Sequence, residues 1–195
     1  SMSLNVVRIL YVDDDEDDFL LVQSFLRKVK RSTFIINWVA SYDEALQKIN
    51  DEYDIFLVDY RLGKETGLEL LRAIKKQKKF APVIMLTGMD NGEVDAVAMM
   101  EGAADYLVKG NFNADTLERT IRYAIRDAML LQTMEISTNR FRNIFERATD
   151  PIILIDKNGF ITKSNPAFVS RFGYDPDDTS SQLSFLSLFS QSQQS

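Results

Sequence analysis

Ile55-Phe56-Leu57-Val58-Asp59 is the stretch that decides the fold. Four successive apolar residues, rather than alternate ones, describe a strand buried on both faces, as in a parallel sheet with helices on either side. Packing gives such a strand no reason to end on a carboxylate. Open α/β sheets bind ligands in the crevice beyond the C-terminal ends of their strands, which places Asp59 at a site. Asp also opens turns on its own account, and Gly63 follows, so the assignment depends on what the neighbouring strands carry.

Upstream, Arg8 to Val12 is another buried run, and it too ends on acid: Asp13-Asp14-Asp15-Glu16-Asp17-Asp18. These adjacent carboxylates repel one another. Phe19, Leu20, Val22, Phe25, Leu26 and Val29 recur at helical spacing, so the later acids fall in a helix's first turn, where the macrodipole favours them and Asp15 or Asp17 caps. Asp13 and Asp14 stay crowded at a strand end. A divalent cation accounts for them, because hard oxygen ligands beside Asp59 suit magnesium, which keeps several waters and takes few protein carboxylates. Phe34 to Ala40 is expected as a further strand and Tyr42 to Asn50 as a helix with Ala45, Leu46 and Ile49 inward.

Downstream of Asp59, a loop containing Gly63 and Gly67, expected to supply unusual backbone angles, leads into a helix carrying Leu68, Leu70, Leu71 and Ile74. The basic run Lys75, Lys76, Lys78, Lys79 suits a solvated helix C-terminus. Pro82 opens a strand, Val83 to Leu86, that ends on Thr87-Gly88. A hydroxyl beside a glycine that allows close backbone approach suits a phosphoryl oxygen better than a core. Glu93 to Glu101 is helical and stopped by Gly102. Asp105 to Val108 is a fifth strand, ending on Lys109-Gly110.

Asp14 and Asp59 lie 45 positions apart, Asp59 and Thr87 28, and Thr87 and Lys109 22. The first interval holds a strand and two helices, and the others fit single βα units, so all four groups reach one edge of one parallel sheet. Acids, a hydroxyl and a lysine there form a site for magnesium and a phosphoryl group, in which positioning and electrostatics do most of the work. No glycine-rich P-loop or dinucleotide motif occurs, so the phosphate would be carried on the protein's own carboxylate, a recognised covalent nucleophile.

Composition narrows the classes further. With neither Cys nor His, thiolate chemistry, an imidazole base and His-ligated metals are excluded. A formal charge of −6 argues against a nucleic-acid surface in this stretch. No apolar run approaches the ~18–20 residues of a spanning helix, and a cytoplasmic protein without membrane contact is expected. Ser1 to Leu4 is taken as an appended remnant and Ser190 to Ser195 as low-complexity polar sequence, and neither enters the fold reasoning.

With Val12-Asp13-Asp14, Asp59, Thr87-Gly88 and Lys109 in this order, residues 5–127 closely resemble a response-regulator receiver domain of two-component signalling. The resemblance implies an α/β, flavodoxin-like, doubly wound sheet of five parallel strands in the order 2-1-3-4-5. It implies Asp59 as phospho-acceptor, with Mg2+ held by Asp13, Asp14, Asp59 and the Arg61 backbone carbonyl. Lys109 would hold the phosphoryl group, Thr87 would turn toward it, and Tyr106 would be the aromatic switch. The donor would be a histidine kinase or histidine phosphotransfer protein. By the same resemblance, Arg61 and Met89 are large enough to hinder water and slow the loss of phosphate. Gly63 and Gly110 stand where many receivers have proline. A cis peptide costs roughly 3 kcal/mol without proline, so a trans or mobile Lys109-Gly110 bond and a less firmly held Lys109 are expected.

A helix is expected from Asp115, and its apolar positions Leu117, Ile121, Ala124, Ala128 and Leu131 continue into residues 128–140 as a seam of coiled-coil type. A signalling helix pairing in a homodimer is the expectation, with one long amphipathic helix lying on its own domain as the alternative. Residues 141–195 resemble the N-terminal part of a PAS domain: a strand over Pro151 to Ile155, a hairpin turn at Asp156-Lys157-Asn158-Gly159, and a helix capped by Asn165-Pro166. This α+β part is too short for a whole PAS sheet, and no cofactor is assigned to it. The competing functions are a receiver fold used only for docking and, more distantly, a haloacid-dehalogenase-like phosphatase built on Asp13 and Asp15. The latter leaves Asp59 unexplained.

Overall fold

The computed structural model describes residues 5–88, 92–173 and 186. Met89 and the Ser190 to Ser195 tail lie outside the described residues. The chain divides into two compact units, residues 1–132 and 133–195.

The first unit runs β1 (Asn5–Val12), α1 (Glu16–Arg27), β2 (Ser32–Val39), α2 (Tyr42–Lys48), β3 (Ile55–Asp59), two short antiparallel strands β4 (Arg61–Leu62) and β5 (Glu65–Thr66), α3 (Gly67–Gln77), β6 (Val83–Thr87), α4 (Gly92–Met100), β7 (Asp105–Val108) and the part of α5 (Ala114–Arg147) up to residue 132. The five long strands are all parallel, in the order β2-β1-β3-β6-β7. Leaving the short pair aside, this is the flavodoxin-like 2-1-3-4-5 arrangement. β1 and β2 begin earlier than hydropathy suggests, because Asn5–Val7 pair with Ser32–Phe34 at the sheet's edge, where side chains are not required to be apolar.

Alternation along the strands explains the unbroken apolar runs. Leu10, Phe56, Val58, Val83 and Met85 point to one face, where Leu70, Leu71 and Ile74 of α3 and Ala45 of α2 cover them. Ile9, Tyr11, Ile55, Leu57, Ile84 and Leu86 point to the other, under Val22 and Leu26 of α1 and Leu117, Ile121 and Ala124 of α5. The last three side chains are therefore spent in the domain's own core, and the expected coiled-coil seam does not begin with them. Further along the same helix Met129, Leu130, Leu131, Met134, Ile136, Phe141 and Ile144 are exposed, and of these only Leu131 belongs to the expected seam.

In the second unit, β8 (Ile153–Ile155) and β9 (Ile161–Ser164) form an antiparallel hairpin. Asp156 Oδ1 closes its turn by accepting from the amides of Asn158 at 2.8 Å and Phe160 at 3.0 Å. Asn165 caps α6 (Pro166–Phe172). It is fully buried, its Oδ1 accepts from the amides of Ile152 and Phe168, and its Nδ2 donates to the Asp150 carbonyl. One amide side chain thus ties the start of α6 to the entry of β8.

Candidate phosphoryl-transfer site

The C-terminal ends of β1, β3, β6 and β7 deliver Asp13 and Asp14, Asp59, Thr87 and Lys109 to one edge of the sheet. Strand register fixes this convergence: Val12 lies beside Val58, Asp59 beside Leu86, and Thr87 beside Val108. Asp13 and Asp59 are buried and Asp14 is exposed, and a carboxylate oxygen from each lies within 4.8 Å of the others. Two buried acids and one open to water, at that separation, fit a hard cation that keeps part of its hydration shell.

Lys109 Nζ lies 2.8 Å from Asp13 Oδ2, 2.7 Å from Asp18 Oδ2 and 3.0 Å from Asp59 Oδ2. The Lys109-Gly110 peptide is trans, as expected without proline, and Gly110 has φ +79°. The expected loosening of the lysine does not follow, because three carboxylates take up its ammonium protons. Burial alone would lower the Lys109 pKa, but hydrogen bonds to Asp13, Asp18 and Asp59 more than offset this and raise it, so the side chain stays charged.

Asp59 behaves oppositely for a carboxyl. Burial, and then the charge of Asp13, push its pKa up to about 6 against the pull of Lys109. The Arg61 amide donates to Asp59 Oδ1 at 3.3 Å. Around Asp13 the structure adds partners that sequence reasoning missed: Tyr11 Oη donates to Asp13 Oδ2 at 2.9 Å, and Trp38 Nε1 donates to the Asp13 carbonyl at 2.7 Å. Burial and then Asp13 hold the Tyr11 phenol in its protonated, donating form, with its pKa raised. Asp18 was also missed. It sits in the first turn of α1, where the macrodipole is sufficient reason for an acid, while Asp15 caps by accepting from the Asp17 amide.

Thr87 is fully buried, and its hydroxyl has no hydrogen-bond partner among the described residues. An orphaned hydroxyl in a core costs about 1–3 kcal/mol, which an anionic oxygen arriving at the site would relieve. Thr87→Val keeps the shape and removes the orphan. In denaturant unfolding it should be about 1 kcal/mol more stable than wild type; a variant less stable than wild type would mean that the hydroxyl is already satisfied. Tyr106, in β7, is 37% exposed, an outward ring close in sequence to Lys109.

Gly67 serves differently from expectation. Its φ is not positive; instead it has no room for a side chain, because a Cβ there would land on the Asp59 carbonyl oxygen. Gly63, at φ +70°, is the one with the unusual backbone angle.

Comparison with known proteins agrees with this fold. A family model for the response regulator receiver domain matches residues 9–122, and one for the PAS fold matches residues 139–195. Transcriptional regulatory protein ZraR of Escherichia coli O157:H7 is 27% identical over 143 residues, covering 72% of this chain and 32% of that protein. The alkaline phosphatase synthesis transcriptional regulatory protein PhoP of Bacillus subtilis is 36% identical over 104 residues, covering 52% and 42% respectively. The chain thus spans less than half the length of these curated relatives. Among solved structures, a response regulator receiver domain protein from Clostridium thermocellum superposes with a TM-score of 0.58 at 29% identity, covering 64% of this chain and 98% of that one. NtrX from Brucella abortus, solved in complex with ADP, gives 0.61 at 30% identity over 74% of this chain and 34% of its own.

Proposed function

The chain belongs to the response regulator receiver domain family, and we propose that it accepts a phosphoryl group onto Asp59 from a phosphohistidine donor, a histidine kinase or histidine phosphotransfer protein. The observation that carries this reading is the joint approach of Asp13, Asp14 and Asp59 at one edge, with Lys109 within 3.0 Å of Asp59 and the unsatisfied Thr87 hydroxyl on the adjoining strand. Residues 1–195 contain no histidine, so the phosphohistidine of this reading lies outside them.

Asp13, Asp14, Asp59 and the Arg61 backbone carbonyl would hold Mg2+. When bound, the ion supplies positive charge that offsets the charge of the phosphoryl oxygens. An Asp59 carboxylate oxygen attacks phosphorus, the P–N bond to the donor imidazole breaks, and the leaving nitrogen keeps the electron pair, giving an acyl phosphate on Asp59. Lys109 pairs with a phosphoryl oxygen, and Thr87 Oγ1 donates to another, gaining the partner it lacks. Turning of Thr87 vacates space that the Tyr106 ring can enter, which couples a local charge change to a surface.

The remainder of the chain fits the output side. We assign residues 5–127 to the receiver, 128–140 to a signalling helix, and 141–195 to the N-terminal part of a PAS-like domain. Exposed apolar residues of α5, Leu131, Met134 and Phe141 among them, would pair with their copies in a homodimer and pass the change to the PAS-linked part. Arg61 would slow hydrolysis of the acyl phosphate; the companion position, Met89, lies outside the described residues. No described helix is long and apolar enough to cross a membrane.

Intact mass after incubation with acetyl phosphate tests the core of this proposal. One phosphoryl adduct that requires magnesium is expected. An adduct formed equally well in EDTA, or free phosphate released without any adduct, would overturn it.

A further inference from the structure

The backbone of Lys109 is anchored beside β6, its amide donating to the Thr87 carbonyl at 2.8 Å, but that anchor does not aim the side chain. The next residue, Gly110, has φ +79°, and nothing lies within 4 Å of where its Cβ would be. Lys also carries the rotamer freedom of a four-carbon stem. The ammonium nevertheless lies against three carboxylates, and these differ in kind. Asp13 and Asp59 belong to the cluster that fits a cation, and Asp59 is the acceptor itself, so loading the site draws on both. Asp18, at 2.7 Å the nearest of the three, is outside that cluster. It projects from the first turn of α1, across 91 positions of sequence, to the end of β7. The helix dipole accounts for an acid in that turn but not for its pairing with this lysine.

Building on the receiver reading of this site, we infer that Asp18 is a positioning residue: it holds the Lys109 ammonium where the phosphoryl group arrives, a restraint that the glycine following the lysine does not give. Its contact persists when a cation engages Asp13 and when Asp59 becomes an acyl phosphate, leaving two ammonium protons for phosphoryl oxygens. Its own charge is offset by the ammonium it holds, so it adds little repulsion toward the incoming dianion.

Asp18→Ala and Asp18→Glu in the full chain test this with two readouts. In nitrogen-edited NMR of the metal-free protein, the Lys109 ammonium should give a resolved, slowly exchanging signal in wild type and in Asp18→Glu, and lose it in Asp18→Ala. At saturating magnesium, uptake of phosphate from acetyl phosphate should fall about tenfold in Asp18→Ala, the scale expected of a misplaced charged group, and recover in Asp18→Glu. Magnesium affinity, followed through the fluorescence of Trp38, the single tryptophan, should hold steady. An unchanged ammonium signal in Asp18→Ala would overturn the inference. So would an equal or faster rate, which would make Asp18 a competitor of the phosphoryl group, or a loss of magnesium affinity that accounts for the whole drop in rate. Failure of wild type to take up phosphate would defeat the receiver reading instead, and the metal-free NMR signal would still decide the role of Asp18.

Discussion

Asp59→Asn should abolish phosphoryl uptake altogether and, in the absence of metal, make the protein more stable at neutral pH. The first effect follows from chemistry, because a carboxamide offers no anionic oxygen to attack phosphorus. The second follows from where Asp59 sits. Burial and the neighbouring Asp13 raise its pKa from 3.8 to about 6 in the folded protein. Between those values the folded state binds more protons than the unfolded one, so stability falls as pH rises through that window and stays low above it. The shift corresponds to a penalty on the order of 2–3 kcal/mol at pH 7, as an upper bound. Asparagine carries no charge and escapes it; the pull of Lys109 is already counted in the raised pKa, and the lysine keeps Asp13 and Asp18. A net gain of about 1–2 kcal/mol is expected, read by urea unfolding in EDTA at pH 7.5. At pH 4 the two proteins should converge. Magnesium should reverse the order, since a ligand of the folded state stabilises only the protein that binds it well. An Asp59→Asn protein less stable than wild type at pH 7.5 without metal would show that the acid is not electrostatically strained.

What the sequence made legible was set by periodicity and by strand ends. Runs such as Ile55 to Val58 have one structural solution when both faces must be covered, and Leu10 with Phe56 on one side and Tyr11 with Leu57 on the other realise it. The acids and Lys109 were legible because they end those runs. Elements whose meaning depends on three-dimensional neighbours were not. Asp18 falls in a helix's first turn, and Tyr11 and Trp38 fall in strands, which is reason enough for each in sequence, yet all three reach Asp13 or Lys109. The seam from Leu117 through Ala124 shows the same limit, since an apolar stripe records that a helix face is covered but not by what. Here the sheet of its own domain covers it.

Gly67→Ala should be the most damaging small change in the receiver unit. The sequence suggests only that a glycine near Asp59 relaxes the backbone, but its dihedral is ordinary and its value lies in absent volume. An added methyl would collide with the Asp59 carbonyl oxygen, come within 2.9 Å of Tyr60 Cα, and come within 2.8 Å of Met85 Cε. Only the last can swing aside, because the other two atoms are backbone. The Gly67 amide also donates to the Tyr60 carbonyl at 2.6 Å, so moving the start of α3 away from the end of β3 to make room breaks a hydrogen bond. At the same point Thr66 and Glu69 form the reciprocal cap that starts α3, and displacing Gly67 disturbs it too. Overpacking of a core commonly costs about 1–3 kcal/mol, and a collision with immovable backbone belongs at or above the top of that range. Gly63→Ala is the matched control: its φ of +70° makes any side chain strained, but its Cβ would meet nothing within 4 Å. About 1 kcal/mol is expected there, with phosphoryl uptake retained. Urea unfolding of the two variants separates the causes. Gly67→Ala should lose at least about 3 kcal/mol and, because the carbonyl it displaces is that of the acceptor residue, a large part of its phosphorylation rate as well. If it proved no worse than Gly63→Ala in both measurements, then Asp59 is not held against the start of α3, and the backbone of this site has slack that the structure does not contain.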